Sequence, residues 1–247
     1  MIFTIAAKEL KILFSAPLAW IVLAVLQFLL AWFFLSQVDA FLAIQPQLGA
    51  LANPPGVTEL IVTPLFGSAA IVLLMAVPLL SMRLIAEERR NQTLALLLSA
   101  QVSVSEIMLG KFLGLMAFLG LFIGLAALMS LSLYAGAALD LGLLAGNILG
   151  LVLLAASFAA LGLYISSLTA HPIIAAVGSL GAFLGLWIVN LSARDPDSLL
   201  HYLSLLKHFE PFNRGVISTS DVAYYALFIA LFLALAIRRL DNNRLRG

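Results

Sequence analysis

The sequence contains no cysteine, so disulfides, thiolate metal sites and cysteine nucleophiles are all excluded. Charge is scarce as well. Asp, Glu, Lys and Arg make up 10% of the 247 residues and sum to +1, which gives no electrostatic pull toward nucleic acid. A phosphate-binding loop is missing: Gly110-Lys111 is followed by Phe112 and lacks the upstream glycine such a loop needs. Any nucleotide energy must therefore come from another chain. No long apolar run carries a central histidine, which argues against haem ligation and an intramembrane serine hydrolase. Gly178-Ser179-Leu180-Gly181 is not a nucleophile context either. His201, His208 and Glu210 share one polar stretch and could be drawn as a metal site, yet an aqueous boundary explains them equally well. No catalytic residue and no metal ligand is expected.

Apolar surface, by contrast, is abundant. Hydrophobic residues make up 63% of the chain and the mean hydropathy is +1.12. A soluble domain of this length cannot hide that much, so the excess must face lipid. Divided by the ~20 apolar residues that cross a bilayer, the chain holds several spans and little else. The expectation is an all-α membrane protein forming one transmembrane domain over 1–247. Its first apolar run is long, follows an amphipathic stretch and has no small-residue cleavage site, so it is read as a span rather than a removable signal.

The segment 2–15 reads as an interfacial helix, with Thr4, Lys8, Lys11 and Ser15 on one face and the lysines toward anionic lipid. Pro17 suits a helix start, and the spacing predicts a first span over about 18–36, with Trp32, Phe33 and Phe34 in an interfacial belt. A loop over 39–62 follows, broken by Pro46, Pro54, Pro55 and Gly56. Further spans are predicted over about 64–85, 111–134, 141–168, 172–191 and 222–237, the second one kinked at Pro78. A polar segment over 194–221 precedes the last span. Its stretch Leu199 to Phe209 is too apolar to be free in water, so short helices dipping back toward the bilayer are expected there.

Basic residues set the orientation. With the N-terminal end in the cytoplasm, one face receives ten of the 13 Lys and Arg residues: Lys8, Lys11, Arg83, Arg89, Arg90, Lys111, Arg238, Arg239, Arg244 and Arg246. The other receives only Arg194, Lys207 and Arg214. This fits the positive-inside rule with both ends cytoplasmic and an even number of spans. Glycines four apart (Gly110 and Gly114; Gly120 and Gly124; Gly142, Gly146 and Gly150; Gly181 and Gly185) permit close helix approach and are read as packing within the bundle. Mid-span ionisable groups of the kind that betray pumps are missing.

The one dense charge cluster is Glu87-Glu88-Arg89-Arg90, followed by Asn91-Gln92-Thr93 and the apolar run Leu94 to Leu98, too short to cross. Read from composition, it is either a solvated helix end with weak salt bridges or a built contact surface. With Met82 to Ala86 before it, and Val102-Ser103 and Gly110-Lys111 after it, the stretch resembles the signature of type-2 ABC exporter permeases. Lys8-Glu9-Leu10 and Ser15-Ala16-Pro17 resemble that family's elbow helix. The segment from Tyr202 to Tyr225 resembles its outer loop. The gliding-motility-associated branch, with the related nitrous-oxide-reductase maturation branch, is the nearest in pattern. Gln92 and Gln101 depart from it, standing where a glycine and a proline are usual.

The resemblance implies a six-span permease with an N-terminal elbow helix, a cytoplasmic coupling segment over 87–106 and short outer re-entrant helices. It also implies a separate ABC ATPase subunit that carries ATP and Mg, with no cofactor in this chain. A second permease copy, identical or paralogous, is implied as well, and a periplasmic accessory protein could contact the outer loop. Glu87, Glu88, Arg89, Arg90, Thr93, Leu94, Leu97 and Leu98 would form the contact with the ATPase. A membrane anchor or mechanical transducer that uses the ATPase without carrying a solute is the alternative, and a lipid enzyme is a third class.

Overall fold

The computed structural model describes residues 1–48, 55–93, 102–192 and 204–244. The described residues are helical throughout their regular structure, with no strand among them. The sequence opens with α1, Ile2–Ser15, on which Thr4, Lys8, Lys11 and Ser15 are all exposed while Glu9 turns inward. Ala16 is extended, as the residue before a proline prefers, and Pro17 begins α2 at once. That corner is held by Trp20, whose indole N–H donates to the Phe14 carbonyl at 2.7 Å while the two rings pack 5.3 Å apart.

Helix α2, Pro17–Leu48, runs well past the expected end at Ser36, so the first part of the predicted 39–62 loop is helical. Neither Asp39 nor Pro46 stops it. One aspartate at the helix surface costs little, and a proline in the last turn removes a single backbone donor. A π-turn, Thr58–Val62, then leads into α3, Thr63–Ser81. Pro78 lies inside α3 as expected, and the helix ends one turn later instead of reaching Ile85. Residues 82–85 are turns, and a five-residue helix, α4, spans Ala86–Arg90.

Helix α5, Val104–Ser132, begins earlier than the predicted Lys111 because Ser103 and Glu106 form a complete capping box. Asp140 caps α6, Leu141–Leu168, by accepting from the Gly142 and Leu143 amides at 2.9 and 3.1 Å. Both ends of α6 lie where the apolar pattern predicts them. Helix α7 is Pro172–Ser192, α8 is Leu205–Asn213 and α9 is Thr219–Arg244. The last helix overruns its predicted span at both ends, since Asp221 suits a first turn and nothing after Ile237 breaks the helix.

Helix α6 is the central post. Ala155, Ala156, Ser157, Ala159, Ala160 and Gly162 give it a run of small buried residues, which lets α3, α5, α7, α8 and α9 pack closely around it. Large apolar side chains such as Trp20, Phe28, Trp32, Ile173 and Leu227 point outward, the inverse of a soluble protein. Five helical stretches among the described residues are long and apolar enough to cross a membrane: Pro17–Gln47, Thr58–Arg90, Val104–Ala135, Leu141–Leu168 and Thr219–Asn242. The apolar stretch Pro172–Ile188 of α7 is shorter.

The glycine pairs divide into two groups. A β-carbon on Gly110 would lie 2.6 Å from Ile5 Cβ, and one on Gly114 2.8 Å from Glu9 Cβ, so these two seat α1 on α5. Gly146 and Gly150 seat α8, on which Phe209 and Phe212 are buried. Gly120, Gly124, Gly181 and Gly185 have no contact within 4 Å of an added β-carbon among the described residues, so the packing predicted for them too is not made there.

Candidate functional site

Charged groups inside this molecule are few, and three of them meet at one point. Lys111, on the first turns of α5, is 1% exposed. Its ammonium donates to Glu9 Oε1 on α1 at 2.8 Å and to Glu88 Oε1 on α4 at 2.7 Å. A lysine is rarely buried unless it is paired, and here both partners come from other helices. The close approach that makes this possible is the glycine seat on either side of it, at Gly110 and Gly114. Glu88 Oε2 is buried and has no hydrogen-bond partner among the described residues.

The same α4 is fastened a second way. Between α3 and α4 the helical hydrogen-bond ladder is interrupted, leaving backbone groups to be satisfied elsewhere. Ser166 of α6, fully buried, does this with one hydroxyl. It accepts from the Ile85 and Ala86 amides at 3.2 and 3.1 Å and donates to the Met82 carbonyl at 3.0 Å. The hydroxyl's one donor and two acceptor sites are all used.

Of the expected contact residues, Glu87 lies 4.0 Å from Arg83 in an exposed pair worth little. Arg89 is half-buried and Arg90 exposed. Thr93 is exposed, and its hydroxyl donates to the Glu88 carbonyl at 3.3 Å. Leu94, Leu97 and Leu98 lie outside the described residues, as does Gln101. Gln92, standing where the resembled pattern has glycine, has φ +58, a left-handed conformation that favours glycine. The structure thus brings Glu88 into a cluster with Lys111 and Glu9, neither of which was expected to take part. Glu9 carried a legible signal: it is an acid on the apolar side of α1, one turn beyond Ile5.

At the other end of the bundle, α8 is wedged against α6. Ser204 caps it, accepting from the Lys207 amide at 3.3 Å, and the buried Tyr225 hydroxyl donates to the Leu205 carbonyl at 2.7 Å. The Asn213 carbonyl accepts from Thr63 Oγ1 at 3.2 Å and Asn147 Nδ2 at 3.4 Å. Gly215, at φ +77, turns the chain toward α9. From Ser204 onward, the polar segment before the last helix thus carries a short helix packed on the bundle. Of the candidate metal group, the two described members have separate surroundings. His208 Nδ1 lies 2.6 Å from Asp221 Oδ1 and its ring stacks on Tyr224, whereas Glu210 is exposed beside Arg214. His201 lies outside the described residues, and no group of three His, Asp or Glu placed to hold a metal occurs among those described.

Two apolar recesses open on the surface around α3. One of about 690 Å³ lies between α2 and α3, lined by residues such as Ile21, Val25, Phe33, Ile71 and Met75. The other, about 320 Å³, lies between α3 and α7 and shares Met75 and Leu79 with the first. Their linings carry no charged side chain.

Residues 51–238 match the family model described as ABC-2 family transporter protein. None of the curated proteins matches the chain. The family of membrane subunits so identified agrees with the several apolar helices, and it implies an ABC ATPase as partner. The chain belongs to the ABC-2 family of transporter proteins and is a multi-pass transmembrane permease component of an ABC transporter.

Proposed function

We propose that this chain is a six-span permease that works as a pair, with a second identical or paralogous copy and two copies of a separate ATPase subunit. On this reading α7 is the remaining span, α1 is the elbow helix lying in the cytoplasmic headgroup plane, and both ends of the chain are cytoplasmic. The positive-inside count, ten basic residues against three among the 13, supports that orientation. ATP and Mg belong to the partner subunit. The motif from Met82 to Lys111 favours a place beside the gliding-motility-associated branch.

The single observation that carries the coupling role is the contact of Glu88 with Lys111. It ties the 86–93 segment to α5 and, through Lys111–Glu9, to α1, so a displacement of that segment acts on this contact first. Glu87, Arg89, Arg90 and Thr93 would then face the ATPase, together with the run from Leu94 to Leu98. The apolar recesses around α3 support a substrate with a large apolar part. The reading is tested by placing a cysteine at Thr93, in a chain that otherwise has none. Cross-linking to a co-expressed ATPase is expected. Labelling of Thr93→Cys from the outer side of the membrane, or no cross-link to any ATPase, would reject it.

A further inference from the structure

The two arms of the Lys111 cluster are not alike. Glu9 is nearly as buried as the lysine, with its side chain 7% exposed, and its Cβ is set against the α5 backbone at Gly114. Glu88 is more open, at 20%, and stands on a five-residue helix that is reached through turns. The cluster also holds two carboxylates against one ammonium. Withdrawing Glu88 leaves a neutral Lys111–Glu9 pair in place and releases a carboxylate to water. Withdrawing Glu9 instead strands a buried anion among apolar side chains. One arm is built to stay and the other to let go.

Building on the coupling reading above, we propose that Lys111 is the positioning residue that joins α4 to α1. Lys111–Glu88 is the contact that opens when the 86–93 segment is displaced, and Lys111–Glu9 is the contact that persists. Helices α1 and α5 then travel as one body. Helix α4 swings against them, with its pivot where Ser166 holds the backbone of 82–86. The excess carboxylate is what makes the joint separable: with a single partner, the lysine could not release α4 without being stranded itself.

The absence of cysteine allows spin labels at chosen sites. Lys8 and Asn91 are exposed and outside the cluster, so labels at Lys8→Cys and Asn91→Cys report the distance from α1 to the end of α4. Labels at Lys8→Cys and Leu121→Cys report the distance from α1 to α5, Leu121 being exposed. The chain is measured in lipid nanodiscs with its co-purified ATPase. Without nucleotide, both pairs are expected to give one narrow distance. Glu88→Gln should broaden the Lys8–Asn91 distribution and leave Lys8–Leu121 narrow, with Glu88→Asp restoring the narrow form. Glu9→Gln should broaden Lys8–Leu121. Trapping the ATPase with ATP and vanadate should move the wild-type Lys8–Asn91 distribution to that of Glu88→Gln. A Glu88→Gln chain as narrow as wild type overturns the joint, whatever the ATPase does. A broadened Glu88→Gln chain with no change on trapping upholds the joint and overturns its use in coupling.

Discussion

A β-carbon on Gly150 would lie 2.5 Å from Cβ of Phe212, so α6 and α8 approach as closely as a glycine permits. Phe209 Cδ2, at 3.2 Å from the same point, closes the other side. Gly150→Ala must therefore push α8 away from the bundle. Overpacking of this kind costs about 1–3 kcal/mol. The expected outcome is a lowered thermal unfolding midpoint in detergent, with faster proteolysis within 204–215. Gly120→Ala is the control. No described residue lies within 4 Å of its β-carbon, and it should leave the midpoint unchanged or raised.

Ser166→Ala should loosen α4 without unseating α6. The substitution leaves two amides and one carbonyl of 82–86 without their partner in a buried place. Each such group costs about 1–3 kcal/mol. Hydrogen exchange of the 82–90 amides is expected to accelerate strongly, while amides in the middle of α6 keep their protection. Unchanged exchange at 85 and 86 would mean the serine contributes nothing to holding the segment.

Gln92→Gly should stabilise the end of α4. At φ +58 a side chain with a β-carbon costs about 1 kcal/mol, and glycine removes that cost. Its own greater freedom in the unfolded chain takes back part of the gain. Gln92→Val, β-branched at the same φ, should shift stability the other way. Amide exchange at Asn91 and Gln92, which donate to the Glu87 and Arg89 carbonyls at 2.9 and 3.2 Å, reads both effects.

Reversal of Arg89 and Arg90 to Glu should lower ATP hydrolysis that depends on this chain several-fold and leave membrane insertion intact. Neither arginine belongs to the Lys111 cluster, so the helix contacts there survive the change. ATPase assays on the reconstituted complex check this, with insertion followed by protease protection. Full hydrolysis in the double variant would return both residues to a solvated helix end.

Most of the helix order is legible because hydrophobic runs and caps are local. Asp140 before Leu141, and His171-Pro172 after Leu168, mark α6 at both ends by chemistry that acts within a few residues. Where the reading misses, the competing signals are equally local but weaker than the helix. Pro46 looks like a terminator, yet α2 passes through it to Leu48. Glu9 stood out as an acid on the apolar side of α1, but its pairing with Lys111 and Glu88 could not be read, since those bonds join residues 102 and 23 apart with no period to announce them. Gln92 falls between the two. Its departure from glycine was visible, but the left-handed backbone that gives the departure meaning needed the structure.

The seat of α1 on α5 also orders events during synthesis. Glu9 leaves the ribosome 102 residues before the lysine that will neutralise it. At about 5–20 residues per second that is an interval of roughly 5–20 s. Through it the carboxylate has no Lys111 and α1 has no Gly110 or Gly114 to lie against, so its ionised side chain stays where water reaches it. Helix α1 thus waits to dock, and it docks only once α5 has been inserted beside it.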